Sequence, residues 1–267
     1  MNYSQSLKFL SDSEIYPERP LLIYLPGMDG AGRLFKSQAK KLAAYFDLRY
    51  LSIPTDNADN WQDLTRATIK LIESELLTNR RDRVYLCGES FGGCLALKIA
   101  VTKPSLIQGL VLVNPASSFN QRPILSFGIN ITGLMPDWLH PYSAVTLLPF
   151  LAQLNRIPQG DRRELIQAVK ALPPKVVSWR LYLLQKFQIA PAQLADLNIP
   201  SLVIASAADR LLPSVEEGRK LVKTLPKAQM LVLPHSGHAC LLETETDLEA
   251  IMKQYHFLPA KEKNRVF

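Results

Sequence analysis

The sequence predicts an α/β fold in which a mostly parallel β-sheet is flanked by helices. Two observations lead to this prediction. Short, almost continuous apolar runs recur along the chain, as is typical of strands that are buried on both faces of a parallel sheet. Stretches with helical periodicity lie between these runs. Such alternation implies right-handed crossovers and helices on both sides of the sheet.

The predicted strands and helices alternate along most of the chain. The strands are 21–25 (LLIYL), 48–53 (LRYLSI), 84–88 (VYLCG), 109–114 (GLVLVN), 201–206 (SLVIAS) and 229–234 (QMLVLP). The helices are 34–46, 61–77, 91–101, 161–172, 175–188, 215–225 and 241–255. In sheets of this kind, ligands bind beyond the carboxyl ends of the strands.

The alternation stops after the strand that ends near Asn114. Residues 119–200 contain no convincing parallel strand, and nine of the 19 prolines lie there. A stretch of this length between two strands of a compact domain is typically a functional insertion. We therefore predict a helical lid at 119–200, inserted into an α/β core that is formed by 1–118 and 201–267.

The charge balance narrows the range of partners. Lys and Arg outnumber Asp and Glu by 31 to 24, which gives a formal net charge of +7. The sequence has no run of five basic residues and no known nucleic-acid-binding motif, so we predict no nucleic-acid partner. The excess of positive charge leaves peripheral contact with a membrane or lipid surface open. The sequence does not indicate an oligomeric state.

The apolar stretch at 138–155 is interrupted by Pro141 and Pro149. A spanning helix needs about 20 mostly apolar residues, so we predict no transmembrane helix. The first residues lack the basic start and apolar core of a signal peptide. The three cysteines form no C-x-x-C pair, which favours a reducing compartment over a disulfide framework or zinc site. We expect a cytoplasmic protein that needs no metal and no other cofactor.

The segment VYLCGESFGGCLALKIA contains the pattern G-x-S-x-G at Gly88, Ser90 and Gly92. Where a strand turns sharply into a helix, this pattern holds the serine in a strained conformation with its Oγ projecting outward. The residues two before and two after the serine approach each other, so only small ones fit. An ordinary glycine-rich turn or a phosphate loop is the alternative, but no Walker or G-x-G-x-x-G motif is present. We predict that Ser90 is a nucleophile.

A serine hydroxyl is a poor nucleophile without a general base. Two of the four histidines, His235 and His238, follow the last predicted strand in the segment LVLPHSGHACLLE. His238 lies further from the strand end, and Gly237 gives the chain freedom to present its ring. We predict that His238 is the general base and that His235 has a structural role.

The carboxylate that orients this histidine is expected after the preceding strand. The segment SLVIASAADRLLP places Asp209 there, 29 residues before His238. Such a carboxylate accepts the imidazole N–H and stabilises the imidazolium. Asp196 precedes the strand, and Glu216 and Glu217 fall inside the next helix. Asp209 therefore fits the topology best, although an aspartate that only caps a turn is the alternative.

An acyl-transfer site also needs donors for the oxyanion. We predict the backbone N–H groups of Met28 and Phe91, one in the loop after an early strand and one directly after the serine. Gly27 lets the backbone turn so that the Met28 N–H faces the site. The alternative is that Pro-Gly and Asp-Gly in LPGMDGAG only mark turns.

The motifs GESFGG, SAADRLLP and SGH, in this order, resemble the α/β-hydrolase superfamily. Within it, LIYLPGMDGAG, LVLVNPASSF, DRLLPSVEEGRKL and SGHACLLE are similar to the esterase/lipase/thioesterase family, which includes the hydrolase part of plant phytyl ester synthases and their cyanobacterial relatives. The resemblance covers about 21–255. It implies an α/β-hydrolase fold, with acyl esters or acyl carriers as donors and long-chain alcohols, diacylglycerol or water as acceptors. The H-x-x-x-x-D motif of the plant enzymes' acyltransferase region does not occur in this sequence.

These observations together predict a serine hydrolase or acyltransferase. It acts on long-chain acyl esters, namely lipid, phytyl or thioester substrates, through an acyl-enzyme on Ser90. The alternative is a ligand-binding or receptor-like protein that keeps the fold and turns over little. Reactivity of the serine toward a fluorophosphonate probe distinguishes the two, because an unactivated serine does not react.

Overall fold

The computed structural model describes residues 6–11, 15–121 and 148–259. In these residues seven strands form one sheet in the order β1-β3-β2-β4-β5-β6-β7. The strands are β1 (Lys8–Leu10), β2 (Leu21–Leu25), β3 (Asp47–Ser52), β4 (Val84–Glu89), β5 (Ile107–Val113), β6 (Ser201–Ser206) and β7 (Ala228–Leu233). Strand β1 pairs antiparallel with β3, and every other pair is parallel. The predicted mostly parallel sheet is confirmed.

The described helices lie between these strands and after them. They are α1 (Lys36–Leu42), α2 (Trp61–Thr78), α3 (Phe91–Thr102), α4 (Leu148–Leu151), α5 (Gln159–Ala171), α6 (Pro174–Gln185), α7 (Pro191–Ala195), α8 (Ser214–Thr224) and α9 (Leu248–Gln254). Short 3-10 turns occur at Arg33–Phe35, Pro104–Leu106, Ala116–Gln121, Leu154–Arg156 and Cys240–Leu242.

The two faces of the sheet carry separate apolar cores. Leu21, Ile23 and Leu25 of β2 pack with α2, α3 and α8 on one face. Leu22 and Tyr24 of the same strand pack with α1 and α9 on the other face. Both faces of the sheet are therefore covered, which explains why its strands are continuous apolar runs.

The sequence-based elements differ from the structure in several places: α4 and α7 were not predicted, and α1 is shorter than the predicted helix at 34–46. Strand β1 was not predicted, because three residues are too few for an alternating pattern to show. The predicted helix at 241–255 was too long. Cys240–Leu242 forms a 3-10 turn, and α9 begins only after Asp247, whose side chain accepts a hydrogen bond from the Ala250 N–H.

The parallel registers bring the ends of neighbouring strands together. Leu25 of β2 is paired with Gly88 of β4, so the loops that follow these two strands are adjacent. Ser206 of β6 is paired with Leu233 of β7 in the same way. Residues from distant parts of the sequence therefore meet at one edge of the sheet.

Residues 148–200, within the predicted lid, form α4 to α7. The rest of the predicted lid from 122 to 147 lies outside the described residues, as does most of the apolar stretch at 138–155. The division into a core and a lid at 119–200 stays a prediction. Among the helices that the structure describes, none combines the length and the apolar character needed to cross a membrane.

Candidate active site

Ser90 occupies the sharp turn between β4 and α3. Its φ of 53° and ψ of −113° lie in a region that non-glycine residues rarely adopt. The neighbouring strand end holds this backbone in place. The Ser90 N–H donates to the Val113 carbonyl at 3.0 Å, and the Ser90 carbonyl accepts from the Gly93 N–H at 3.0 Å and the Ala116 N–H at 3.1 Å. Strain of this kind persists only where the surrounding structure enforces it.

The glycines of the motif are required by close backbone contacts. A Cβ atom at Gly92 would lie 1.9 Å from the Leu25 carbonyl oxygen. A Cβ atom at Gly88 would lie 2.5 Å from the Gly92 carbonyl oxygen. The absence of side chains at both positions therefore lets β2, β4 and the start of α3 approach one another around Ser90.

The three residues predicted to act together form one hydrogen-bonded line. His238 Nε2 lies 2.9 Å from Ser90 Oγ, and His238 Nδ1 lies 2.8 Å from Asp209 Oδ2. Ser90 and His238 are both buried. In the tautomer that carries the proton on Nδ1, the ring donates to the carboxylate and Nε2 is free to accept the serine proton.

The environment of Asp209 keeps it ionised. Burial, the largest influence, acts to raise its pKa, but the charge and hydrogen bond of His238 and the hydroxyl of Ser214 outweigh burial and lower it. Asp209 Oδ1 also accepts from the N–H groups of Leu211 at 2.8 Å and Leu212 at 3.0 Å. The contact from Ser214, at the start of α8, could not be found by sequence reasoning.

The contact between Asp209 and His238, which lowers the pKa of Asp209, raises the pKa of His238. Burial, again the largest influence, acts to lower its pKa. The negative charge and hydrogen bond of Asp209, together with the charge of Glu89, outweigh burial and raise the pKa of His238 above its usual value. A more basic imidazole is better able to take the proton of Ser90.

Asn114 ties the loop of His238 to the sheet. Its Nδ2 donates to the His238 carbonyl at 2.7 Å and to Ser206 Oγ at 2.9 Å, and its Oδ1 accepts from the Ser206 N–H at 2.8 Å. The φ of Asn114 is 42°, a left-handed value that asparagine tolerates better than most residues. Sequence reasoning did not assign this residue a role; a polar residue directly after an apolar strand was the available signal.

The loop of His238 is also held by Glu243, which follows it in the chain, and by residues 151–156 before α5. Glu243 Oε1 accepts from the Gly237 N–H at 2.8 Å, and Glu243 Oε2 accepts from Arg156 Nε at 2.8 Å. The Ala239 N–H donates to the Leu151 carbonyl at 2.9 Å. Residues on either side of His238 are thus held by side chains and backbone that sequence reasoning did not identify.

Residues 27–30 follow β2 and are called the oxyanion loop below. The Gly30 N–H donates to the Gly27 carbonyl at 3.2 Å, which closes the loop. A Cβ atom at Gly27 would lie 3.8 Å from Ser90 Cβ, so the loop passes directly beside the serine. Within the described residues, the N–H groups of Met28 and Phe91 donate no hydrogen bond to the protein. Their assignment as oxyanion donors stays a prediction.

Two further acidic residues lie close to the site. Tyr24 donates its hydroxyl to Glu89, the residue before the serine. Burial raises the pKa of Glu89 to about 7. Burial also raises the pKa of Asp29 in the oxyanion loop, although the Ala31 N–H and the charge of Arg180 oppose this.

The residues considered as alternatives lie elsewhere. The side chains of His235, Asp196 and Glu216 are exposed, and Glu217 accepts from the hydroxyl of Ser117. The three cysteines are buried, and burial raises the pKa of each thiol, which makes all three poor nucleophiles. No group of three or more His, Cys, Asp or Glu side chains in the described part of the chain could hold a metal ion.

A cavity of about 380 Å³ opens between α3, α8 and the segment that follows α6. Its walls include Leu97, Phe187 and Glu217. Ser90 does not line this cavity, so it is not the space directly above the serine hydroxyl.

The sequence and the structure are similar to known proteins. Residues 55–245 match the model of the family Hydrolase_4, described as serine aminopeptidase, S33. Phytyl ester synthase 1, chloroplastic, of Arabidopsis thaliana is 30% identical over 259 residues, which cover 88% of this chain and 37% of that protein. The chain therefore spans little more than a third of this relative. The pimeloyl-[acyl-carrier protein] methyl ester esterase of Aromatoleum aromaticum is 26% identical over 250 residues, covering 88% of this chain and 97% of that protein.

Two solved structures share the fold. MenH from S. aureus matches with a TM-score of 0.73 and 17% identity, covering 94% of this chain and 98% of that chain. MGS-M2, an alpha/beta hydrolase enzyme from a Medee basin deep-sea metagenome library, matches with a TM-score of 0.75 and 16% identity, covering 99% of both chains. At this level of identity the likeness concerns the fold alone.

Proposed function

Because this chain belongs to the Hydrolase_4 family (serine aminopeptidase, S33) within the α/β hydrolases, we propose that it is a serine esterase or acyltransferase that works through an acyl-enzyme on Ser90. The observation that carries the proposal is the line from Ser90 Oγ to His238 Nε2 at 2.9 Å and from His238 Nδ1 to Asp209 Oδ2 at 2.8 Å. This arrangement activates a hydroxyl for attack on a carbonyl carbon.

In the proposed reaction, Ser90 Oγ forms a bond to the carbonyl carbon of the ester while His238 Nε2 takes the serine proton. The carbonyl electrons move onto its oxygen, which the N–H groups of Met28 and Phe91 stabilise. The bond to the leaving group then breaks, and His238 returns its proton to the departing alkoxide or thiolate. Water or an alcohol, deprotonated by the same imidazole, then attacks the acyl-enzyme. The bond from the acyl carbon to Ser90 Oγ breaks, His238 returns the proton to Ser90, and the acid or a new ester is released.

The proposed substrates are long-chain acyl esters, including phytyl esters, other lipid esters and acyl-carrier thioesters. The support is the similarity to phytyl ester synthase 1, which aligns with 88% of this chain, and to the pimeloyl-[acyl-carrier protein] methyl ester esterase. The surroundings of the serine agree with this choice. Met28, Trp61 and Phe91 belong to one apolar cluster next to the site, and apolar surface favours a buried acyl chain by about 25 cal/mol per Å².

The first prediction concerns the nucleophile. We expect the wild-type protein to hydrolyse p-nitrophenyl esters, with kcat/KM rising from short to long acyl chains, and to be labelled covalently by a fluorophosphonate. The variant Ser90→Ala should lose both activities, with kcat falling by about 10⁴-fold or more because the acyl-enzyme cannot form. Turnover is followed by absorbance and labelling by intact-protein mass spectrometry.

Ser118→Ala is the matched control, because Ser118 is a buried serine of the adjacent 3-10 turn whose Oγ has no hydrogen-bond partner among the residues that the structure describes. This variant should keep wild-type turnover. Two further substrates separate the reaction classes: an amino-acid p-nitroanilide tests peptidase-like cleavage, and a long-chain alcohol added as acceptor tests ester formation. Wild-type protein that binds acyl esters but neither turns them over nor reacts with the fluorophosphonate would be a binding protein, and the proposal would fail.

A further inference from the structure

We propose that Arg180, on helix α6 of the predicted lid, is a positioning residue that holds the oxyanion loop in the shape that acyl transfer requires. The inference rests on the function proposed above and goes beyond it. It assigns a part in the reaction to a residue that lies 90 positions after the serine and outside every motif described so far.

Arg180 joins the oxyanion loop to the end of β3. Its Nη1 donates to the Met28 carbonyl, and its Nη2 donates to the Ile53 carbonyl at 3.2 Å. The Ile53 N–H in turn donates to the Gly30 carbonyl at 2.8 Å. Arg180 is only 3% exposed, so these bonds face little competition from water.

Gly30 provides the space for the guanidinium group. Its φ is +65°, and a Cβ atom there would lie 2.5 Å from Arg180 Nη2 and 2.6 Å from Nη1. The loop and the side chain are therefore complementary in shape as well as in hydrogen bonding. Any other residue at position 30 would both strain the backbone and displace Arg180.

The contact with the Met28 carbonyl bears directly on the predicted oxyanion donor. The carbonyl and the N–H of Met28 belong to two rigid peptide planes that share the Met28 Cα atom. A hydrogen bond that fixes the carbonyl therefore fixes one of the two dihedral angles that aim the N–H at the site. Without Arg180, the loop could rotate about Met28 while Gly27 stays beside Ser90.

Charge strengthens the same contact. Burial lowers the pKa of Arg180 to about 10, with Asp29 opposing this effect, so the guanidinium stays protonated at neutral pH. Asp29 lies in the oxyanion loop between Met28 and Gly30. The loop thus offers a carbonyl and an acidic residue to one buried cation.

Helix α6 also supports the second predicted donor. The Leu183 carbonyl accepts from Trp61 Nε1 at 2.6 Å. The Trp61 ring stacks on the Phe91 ring, with centroids 4.8 Å apart. Helix α6 therefore contacts Met28 through Arg180, and it supports Phe91 through Trp61.

The second prediction tests this role with Arg180→Met, which keeps the bulk of the side chain and removes its donors. We expect kcat for ester hydrolysis to fall by about 100-fold with little change in KM, because loss of transition-state alignment acts on kcat. The affinity for an alkyl boronic acid, which forms a tetrahedral adduct with an active serine, should fall with kcat. Arg180→Lys, which can reach one carbonyl but not both, should give an intermediate kcat.

Arg81→Met is the matched control. The side chain of Arg81 is 8% exposed and donates to the Tyr16 carbonyl at 2.8 Å and to Asp47 at 2.7 Å. It precedes β4, at the end of that strand opposite to Ser90. We expect this variant to melt at a lower temperature but to keep the wild-type kcat and boronic-acid affinity.

Chemical rescue distinguishes a positioning role of Arg180 from a purely structural one. Guanidinium chloride at millimolar concentration should restore part of the activity of Arg180→Ala, whereas the same concentration of sodium chloride should not. The inference is overturned if folded Arg180→Met keeps kcat within about threefold of wild type, or if Arg81→Met loses as much kcat as Arg180→Met. Failure of the proposed function looks different, because the wild-type protein itself would then show no turnover and no labelling.

Discussion

Gly92 brings two backbone segments closer than any side chain would permit. A Cβ atom there would approach the Leu25 carbonyl oxygen to 1.9 Å and the Pro26 carbonyl oxygen to 2.6 Å. These atoms belong to β2 and to the residue before the oxyanion loop, so they cannot move without disturbing the sheet or the loop. The spacing in G-x-S-x-G is therefore a packing requirement as well as part of the proposed catalytic motif.

The third prediction follows from this contact. Gly92→Ala should lower the free energy of unfolding by about 3 kcal/mol or more, because the added methyl group overlaps with backbone that has no room to move. Gly160→Ala is the control, since a Cβ atom at this position in α5 would have no atom of the described part of the chain within 4 Å. It should be neutral or stabilising by about 0.5–1 kcal/mol. Urea unfolding followed by circular dichroism measures both; equal stabilities for the two variants would contradict the packing argument.

The residues proposed to carry out the chemistry could be predicted from the sequence, whereas the residues that position them could not. Ser90, Asp209 and His238 could be selected because acyl transfer needs those side chains, in an order that the alternation of strands and helices fixes. Asn114 contacts a carbonyl 124 residues away, and Arg180 contacts one 152 residues away. Their side chains have no chemistry that singles them out. The roles proposed for them rest only on tertiary contacts between distant segments.

At the scale of elements, residues 148–185 are closely joined to the predicted reaction centre. The 3-10 turn Leu154–Arg156 contacts the loop of His238 through Glu243. Helix α6 contacts the oxyanion loop through Arg180. The part of the predicted lid that the structure describes is therefore bound to both loops beside the serine.

The fourth prediction concerns the first of these contacts. Glu243→Ala leaves the buried Gly237 N–H without its acceptor, which costs about 1–3 kcal/mol. The loop next to His238 should then become more mobile, and kcat should fall by about tenfold because the imidazole is less well aligned with Ser90. Unfolding in urea and steady-state turnover measure the two effects.

Glu245→Ala is the control for this contact. Glu245 also pairs with Arg156, at 2.7 Å, but its side chain is 74% exposed. It makes no contact with Gly237, and exposed ion pairs contribute little to stability. This variant should keep both the stability and the kcat of the wild type. A loss of activity as large as that of Glu243→Ala would mean that the charge of Arg156, not the order of the His238 loop, is what matters.

Some element boundaries follow from the apolar pattern of the sequence, whereas others depend on strand pairing or on local turns. The apolar runs of β2 to β6 reflect burial on both faces, so the sequence contains enough information to predict them. Strand β7 lies at the edge of the sheet and is only partly buried, but its apolar run is long enough to be predicted as well. Strand β1 exists because Lys8–Leu10 pairs with residues 50–52 of β3, a contact that its own sequence does not reveal. The early end of α1 and the late start of α9 likewise depend on local turns that apolar periodicity does not record.

At the scale of the whole molecule, the parallel sheet is what assembles the site. The oxyanion loop follows β2, Ser90 follows β4, Asn114 follows β5, and Asp209 and His238 follow β6 and β7. Every one of these residues lies at the same edge of the sheet because parallel strands end on the same side. The same topology places an acidic residue, Glu89, at the end of the central strand β4, where its side chain is partly buried and accepts a hydrogen bond from Tyr24.

This position of Glu89 makes the stability of the whole molecule depend on pH. Burial raises the pKa of Glu89 from the usual 4.5 to about 7. Below pH 4.5 the carboxyl is protonated in both the folded and the unfolded chain, so it does not make the free energy of unfolding depend on pH. Between 4.5 and about 7 the unfolded chain releases the proton while the folded protein keeps it. Stability therefore falls as pH rises and levels off above about 7.

The fifth prediction is that Glu89→Gln removes this dependence, because the amide keeps an acceptor for Tyr24 but cannot ionise. At about 1.4 kcal/mol per pH unit, the variant should be more stable than the wild type by up to about 3 kcal/mol at about pH 8 and about equally stable near pH 4.5. Urea unfolding at several pH values measures the difference, with Glu164→Gln on the exposed face of α5 as control. A difference between Glu89→Gln and the wild type that does not grow with pH would show that the Glu89 carboxyl ionises as freely in the folded protein as in the unfolded chain. In that case, burial at the end of β4 would not desolvate the Glu89 carboxyl enough to change its pKa.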